Sequence, residues 1–462
     1  MAETVGRVTL SDRDQLARLL RFLETDVGIG PGHELKKNLD SKHVRPDRPA
    51  VSVIQAQLQA QRVHATYMEN WSNVAPGHWG IKKPSAILGG SQITVDLAIE
   101  LKTLVCGSGR HVFSKDWLKS TLEFSCLEGP FPYGIQTLKC GSRGLALCLQ
   151  GYLLKHLIFD REYKSSILQG TSVLSPNDFE RRRALVSAIC EMLWQCGERR
   201  HCCMCLKDAD SCIGPDHRYR PDSVTEKILI FEFKKYEELQ QFVKRNLGQF
   251  QSVHGNGCIL FLYSLILSRT LQKVYEDLQV DNGSKVKLIN DMDDVSQSLL
   301  NLALTGQATP HTHNGELLYD RRGELLPRSL HGIHSRNQVG FLFWDKGENP
   351  DNRTEIGSML KTPKNPIWLT KVNGMYGLLF SLNADLVSHW RQENRFTFYY
   401  YTGLASQAKP AVLTVETRIG RSRPKTTLGR REEENKIPAL ENCIMTKWYG
   451  ADVIWNGTDP FV

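Results

Sequence analysis

From Tyr133 the chain reads Tyr133-Gly134-Ile135-Gln136-Thr137-Leu138-Lys139-Cys140-Gly141-Ser142-Arg143-Gly144 and then turns apolar over residues 145–159. A glycine-punctuated loop opening a buried helix is how thiol hydrolases present a nucleophile. The helix N-terminus lowers the thiol pKa and favours a developing anion. At this position stands Arg143, a permanent cation that cannot attack a carbonyl. The spacing belongs to nucleophilic chemistry and the side chain does not. Two thiols lie nearby in sequence. Cys140 is three residues upstream, and a displacement of several ångströms is far beyond the roughly 1 Å that already costs about 100-fold. Cys148 lies inside the apolar stretch, where a thiol is expected to be inert.

The stretch resembles the nucleophile loop of the MINDY family of ubiquitin-chain hydrolases, which runs Y-G-I-V-Q-N-K-G-G-P-C-G before a helix beginning V-L-A-x-x-Q-G. Laid on it without gaps, Tyr133, Gly134, Ile135, Lys139, Gly141, Gly144, Gln150 and Gly151 match. The family cysteine falls on Arg143. Its oxyanion-side glutamine falls on Thr137, with Gln136 one position off register, and a glycine and a proline fall on Cys140 and Ser142. A second segment is similar to the family's K-T-P-x-x-P-I-W-V-V-x-S-E-S-H-F-S-I-L-F-S: Lys361-Thr362-Pro363, then Pro366-Ile367-Trp368, and on to Phe380-Ser381. The resemblance places the family's general-base histidine on Met375, whose thioether accepts no proton near neutral pH. No histidine lies within 371–380; His331, His334 or His389 would have to reach in from elsewhere.

The likeness extends from about residue 87 to 462. Residues 296–308 resemble S-Q-x-L-x-N-L-x-L-T-G-x-A. Gly332-Ile333 with Val339-Gly340-Phe341-Leu342 resembles G-I-x-x-R-x-x-V-G-F-L. Residues 398–405 resemble Y-Y-Y-D-G-L-A, with Thr402 in place of the acid, and the ending from Thr446-Lys447-Trp448 is similar to that of the fourth MINDY branch. What this implies is an α/β (α+β) chain with a papain-like, cysteine-protease-type fold, its nucleophile helix packed on a mixed sheet that carries the base. It also implies ubiquitin or polyubiquitin chains as ligand, chains of the proteasome-targeting linkage being the family's substrate. With nucleophile and base both replaced, the resemblance points to an inactive member resembling the branch's B paralogue. Loss of either member of such a cooperative pair already removes most of the rate. A hydrolase using a displaced thiol and an interaction protein without ubiquitin binding are the alternatives.

Composition agrees with a folded domain of this size. The 462 residues are 41% hydrophobic and carry a formal charge of +8. That excess is modest and not gathered into an aromatic-interleaved stripe, so no nucleic-acid partner is expected. The basic clusters are Arg181-Arg182-Arg183, on an expected helix that starts near Ser175-Pro176-Asn177-Asp178, and Arg418 to Arg431, read as a solvated loop ahead of Glu432-Glu433-Glu434. Residues 258–267 form the longest apolar run, too short to span a bilayer. Met1-Ala2-Glu3-Thr4 lacks a secretion pattern. An intracellular, most simply cytoplasmic, setting without membrane attachment is expected, with the 12 cysteines mostly reduced.

No cofactor is expected. Gly28-Ile29-Gly30-Pro31-Gly32 follows no strand, and no Walker-type phosphate loop occurs. Cys196, His201, Cys202, Cys203, Cys205, Cys212 and His217 are numerous enough for zinc, but paired C-x-x-C knuckles are missing. The stretch reads as a reduced, cysteine-rich loop and no metal is assigned. His311-Thr312-His313 reads as a surface loop.

The elements that must position the site follow from periodicity. Residues 8–24 carry Leu16, Leu19, Leu20 and Leu23 at helical spacing behind Ser11 and Asp14. From 28 to 83 the chain is polar and Gly/Pro-punctuated, so 1–84 reads as an N-terminal extension, partly disordered, and 85–462 as the domain. Helices are expected over 97–105, 145–159, 183–194 and 236–247. Strands are expected over 228–233, 375–380, 396–401 and 411–415.

Overall fold

The structure, a computed structural model, describes residues 89–139, 141–160, 173–279, 287–320, 322–349, 353–417 and 436–460. These lie in one compact unit, Lys83–Val462. The helix expected over 8–24, the polar stretch to 83 and the basic run 418–431 fall outside the described residues.

In chain order the elements are β1 (Ser91–Gln92), α1 (Val95–Cys106), α2 (Lys115–Lys119), α3 (Arg143–Phe159), α4 (Asp178–Cys196), β2 (Cys202–Lys207), β3 (Ile228–Phe233), α5 (Tyr236–Gln251), α6 (Gly257–Arg269), α7 (Leu271–Leu278) and α8 (Gln297–Thr305). They continue with β4 (Glu316–Tyr319), β5 (Leu325–His331), β6 (Gly340–Trp344), α9 (Ser358–Lys361), β7 (Ile367–Val372), β8 (Met375–Phe380), β9 (Arg395–Tyr401), β10 (Ala411–Glu416), α10 (Ala439–Met445) and β11 (Asp452–Ile454).

Local sequence explains most of the boundaries. Asn177 starts α4 with a capping box: its side chain accepts from Glu180 N at 2.9 Å, and Glu180 Oε2 accepts from Asn177 N at 2.9 Å. The reciprocal bonds satisfy two of the helix's orphan donors. Ser296 caps α8, and the helix stops at Gly306, whose φ of 82° is easily reached only without a Cβ. In α3 almost every residue is buried, so no amphipathic stripe is needed.

Six strands form one mixed sheet in the order β11-β10-β9-β8-β7-β6, with β6 parallel to β7 and the other pairs antiparallel. The α3 helix packs on β7 and β8 with one side and on α4 and α8 with the other. The opposite face of the sheet is closed by α10 and an aromatic cluster of Trp368, Phe396, Phe398 and Trp448. With both faces covered, the central strands lose the polar alternation of a half-exposed sheet. A smaller sheet, β1-β3-β2, packs on α6. The expected α+β arrangement, with a buried helix on a mixed sheet, is what the chain forms.

Two expectations are corrected. The cysteine-rich stretch is not a loop: Cys202–Lys207 is β2, pairing with β3 in register Cys202↔Phe233 to Lys207↔Ile228. Cysteine behaves there as a small hydrophobe, and Cys202, Cys203 and Cys205 are all buried. The segment His311-Thr312-His313 is not a free surface loop either. Thr312 is buried, and His313 packs over Gly332. No single helix among the described residues is long and apolar enough to cross a membrane. Together α6 and α7 pass on length and composition alone, but they meet at an 84° bend, and α6 is buried in the core.

Candidate active-site region

The loop before α3 is held from several sides. Gln150, buried one turn and more into the helix, reaches back with both ends of its amide: Oε1 accepts from Ile135 N at 2.6 Å and Nε2 donates to Tyr133 O at 3.1 Å. Tyr401, from β9, donates its hydroxyl proton to Ile135 O at 2.8 Å, and Thr137 N donates to Gly403 O at 2.8 Å. Gly134 is what admits that tyrosine, since a Cβ there would collide with its hydroxyl. At the other end Gly141 lies so close to the Asp293 carbonyl that a Cβ would overlap it.

The helix therefore begins at a fixed place, and Arg143 is its first residue. Ser142, the N-cap, makes no side-chain capping bond; its hydroxyl pairs with that of Ser120 at 2.6 Å. The Arg143 side chain is only 4% exposed. Its Nε and Nη2 both donate to the Thr402 carbonyl, at 3.1 and 2.8 Å. A cation at a helix N-terminus costs roughly 0.3–1 kcal/mol, and hydrogen bonds from a charged group contribute roughly 1.5–3 kcal/mol each. The hydrogen bonds outweigh the dipole, so the arginine is a stable tie between α3 and the β9–β10 connection. That connection is itself fixed, because Gln407 Oε1 accepts from Thr402 N at 2.7 Å and from its hydroxyl at 2.8 Å.

Thr137, where the resemblance places the oxyanion-side glutamine, turns its hydroxyl toward the same Thr402 carbonyl at 3.5 Å, beyond a good hydrogen bond. Gln136 is exposed. Met375 opens β8, opposite Val372 across a tight hairpin. Its neighbour Tyr376 reaches α3: a Cβ on Gly144 would stand 3.1 Å from the Tyr376 ring. The residues that follow Arg143 and Met375 in sequence are thus in contact. Tyr376 also donates to Asp294 Oδ2 at 3.3 Å, and Lys371 Nζ lies 3.4 Å from the same oxygen. Burial, then the Asp294 charge, holds the Tyr376 hydroxyl well above its ordinary pKa. Asp294, Lys371 and Tyr376 were not singled out in the sequence, because their partnership joins a turn to a strand far along the chain.

Cys140 lies outside the described residues. Cys148 is fully buried in α3, and burial drives its pKa far above the usual thiol range. A thiol with a raised pKa stays protonated and unreactive at neutral and mildly alkaline pH. Alkylation of the native protein with iodoacetamide at pH 8 is therefore expected to leave Cys148 unmodified, as read by peptide mass spectrometry. Labelling as fast as that of the exposed Cys126 would contradict this placement. Among the described residues no group of three or more His, Cys, Asp and Glu side chains is arranged to hold a metal ion. Cys196 Sγ is turned to the Leu302 carbonyl at 3.6 Å, and the His217 side chain is 85% exposed.

Comparison with known proteins adds the identity of the scaffold. The family described as "Deubiquitinating enzyme MINDY-3/4, conserved domain" matches residues 102–457. The "Probable ubiquitin carboxyl-terminal hydrolase MINDY-4" of Homo sapiens is 34% identical over 370 residues, covering 80% of this chain and 46% of the relative. Its Xenopus tropicalis counterpart is 33% identical over 373 residues, 81% of this chain and 47% of the relative. The "Ubiquitin carboxyl-terminal hydrolase MINDY-3" of Bos taurus is 27% identical over 321 residues, 63% of this chain and 67% of that protein. The chain spans about half the length of the MINDY-4 relatives it matches. No solved structure matches it significantly. A buried helix packed on a mixed sheet, in a chain matched from α1 to the C-terminal strand, makes this chain a member of the MINDY-3/4 deubiquitinating enzyme family.

Proposed function

We propose that this chain is a pseudo-deubiquitinase that keeps the family scaffold and binds ubiquitin or polyubiquitin without hydrolysing it. The observation that carries the reading is the tie from Arg143 to the Thr402 carbonyl. The side chain at the place the resemblance gives to the nucleophile is built into the fold as a cationic strut, and among the described residues no thiol stands at the start of α3. At Met375, the place the resemblance gives to the base, no proton acceptor is present. With nucleophile and base both absent, acyl transfer has neither an attacking atom nor a group to deprotonate one. An intracellular setting, where ubiquitin is met, goes with this reading, and the cysteines among the described residues are free thiols.

The test is a titration of the full chain into fluorescent polyubiquitin, followed by anisotropy over time. A saturable rise that then stays constant is the expected result. A rise followed by decay would mean hydrolysis through a displaced thiol. A flat titration would leave a scaffold that acts through other proteins and has lost the family's ligand.

A further inference from the structure

Thr270 is the single residue between α6 and α7, where the two helices meet at 84°. Its φ of 73° and ψ of 142° fall where a Cβ crowds the backbone, a region left essentially to glycine and least suited to a β-branched residue. Its hydroxyl caps α7, accepting from Lys273 N at 3.4 Å, a bond too long to offset the strain. The other side of the break is fixed. Ser268 Oγ accepts from Cys203 N at 2.9 Å and donates to Cys203 O at 3.1 Å, which ties the end of α6 to β2.

The residue before the break holds α7 in place. Arg269 is buried, and its Nε and Nη2 donate to the two carboxylate oxygens of Asp277 at 2.8 Å each, while Nη1 donates to Glu198 Oε1 at 2.8 Å. The bidentate pair spans the break, from the last residue of α6 to the last turn of α7. Asp277 Oδ2 also accepts from Ala308 N at 2.9 Å. Lys273 Nζ reaches Glu198 Oε1 as well, but that pair is open to solvent and contributes little. Closed against α6, α7 buries Val274 and Leu278. Just past the helix, Gln279 grips the β4–β5 hairpin: Nε2 donates to Ser329 O at 2.8 Å, Oε1 accepts from His331 N at 3.1 Å, and the Gln279 carbonyl accepts from Arg328 Nη1 at 3.0 Å. At its base the hairpin is tied to its own flank, where Thr309 Oγ1 donates to His331 O and His313 Nε2 lies 3.1 Å from Leu330 O. It pairs with no third strand among the described residues, and it carries Leu318, Tyr319 and Leu325, all exposed.

We propose that α7 is a clasped strap that opens about Thr270 and lets go of the hairpin when it does. Once α7 lifts, Thr270 is free to return to a negative φ, so backbone strain favours the open arrangement. The Arg269–Asp277 pair and the burial of Val274 and Leu278 favour the closed one. An element with two arrangements, set by a few opposing contacts at a hinge, is what a conformational switch requires. Opening uncovers the apolar face of α7 and loosens the hairpin with its exposed leucines and tyrosine. The packing of α3 on the six-stranded sheet is left as it is.

Hydrogen–deuterium exchange of the full chain, read by peptide mass spectrometry, tests this with two variants of opposite sign. Thr270→Gly removes the strain and, at a helix cap, gives up little, so exchange in α7 and β5 is expected to slow at least about threefold. Arg269→Gln undoes the clasp. Exchange in the same two elements is then expected to quicken at least about tenfold, with α3 and β8 within about twofold of the wild type. The second variant strands the Asp277 carboxylate; the Thr270→Gly result decides the matter by itself should Arg269→Gln fail to fold. The proposal is overturned if Thr270→Gly leaves exchange in α7 unchanged or quickens it, or if β5 does not follow α7. It is overturned equally if Arg269→Gln quickens α3 and β8 as much as α7, since the domain would then be opening as a whole.

Discussion

Placing cysteine at 143 and histidine at 375 together is expected to restore less than about 1% of the chain-cleaving rate of an active MINDY-4 relative. The two changes return an attacking atom and a base, and a nucleophile–base pair that acts as a unit can account for about a million-fold in rate. Other positions of the loop also depart from the family's pattern. Thr137 stands where the resemblance places the oxyanion-side glutamine, and its hydroxyl is aimed at the Thr402 carbonyl. A single missing oxyanion donor costs about 10²–10³-fold. Ser142, at the N-cap, is engaged by Ser120, and Tyr376, adjacent to the restored histidine, is held by Asp294. The measurement is gel-based cleavage of polyubiquitin by Arg143→Cys/Met375→His, alongside the wild type and the relative. Cleavage at a tenth of the relative's rate or more would show that nucleophile and base were all the scaffold had lost.

Arg143→Ala is expected to destabilise the domain by about 2–4 kcal/mol. The substitution deletes two charge-assisted hydrogen bonds and leaves the Thr402 carbonyl with a weak hydroxyl contact 3.5 Å away. An unsatisfied buried acceptor alone costs about 1–3 kcal/mol, and the buried aliphatic stem of the arginine is lost as well. Removing a cation from a helix N-terminus returns only about 0.3–1 kcal/mol, so destabilisation wins. Arg143→Lys is expected to recover less than half of the loss, because an ammonium is a point donor and cannot present two parallel N–H groups to one oxygen. Urea unfolding of the three proteins decides the matter. If Arg143→Ala is as stable as the wild type, the guanidinium is not a strut. The same experiment bears on the double variant, since Arg143→Cys breaks the same tie, and activity there must be read against its folded fraction.

Much of this was legible along the chain. Strand β8 falls at 375–380 and β3 at 228–233, as their apolar, aromatic composition indicates. The α4 helix extends five residues before the apolar period that marks it, because Asn177 and Glu180 cap it there. Other elements were hidden by composition. The cysteines of β2 suggested ligands or a loop, and only the pairing with β3 and the cover of α6 make them core. The apolar run 258–267, too short to span a bilayer, forms most of α6.

The candidate site divides the same way. Sequence alone determined that residue 143 is a cation that cannot attack a carbonyl and residue 375 a thioether that accepts no proton, because these are properties of side-chain chemistry; that they stand in the nucleophile's and base's places is what the resemblance implies. It also determined the family, because many blocks stand in the same order. Only the tertiary structure decided what Arg143 does instead. Its partner is a backbone carbonyl 259 positions away, and a carbonyl carries no signature in sequence. The Tyr376–Asp294–Lys371 contact was decided by the fold for the same reason. Its members are ordinary residues on separate elements, and nothing about them is unusual until packing brings the charges together.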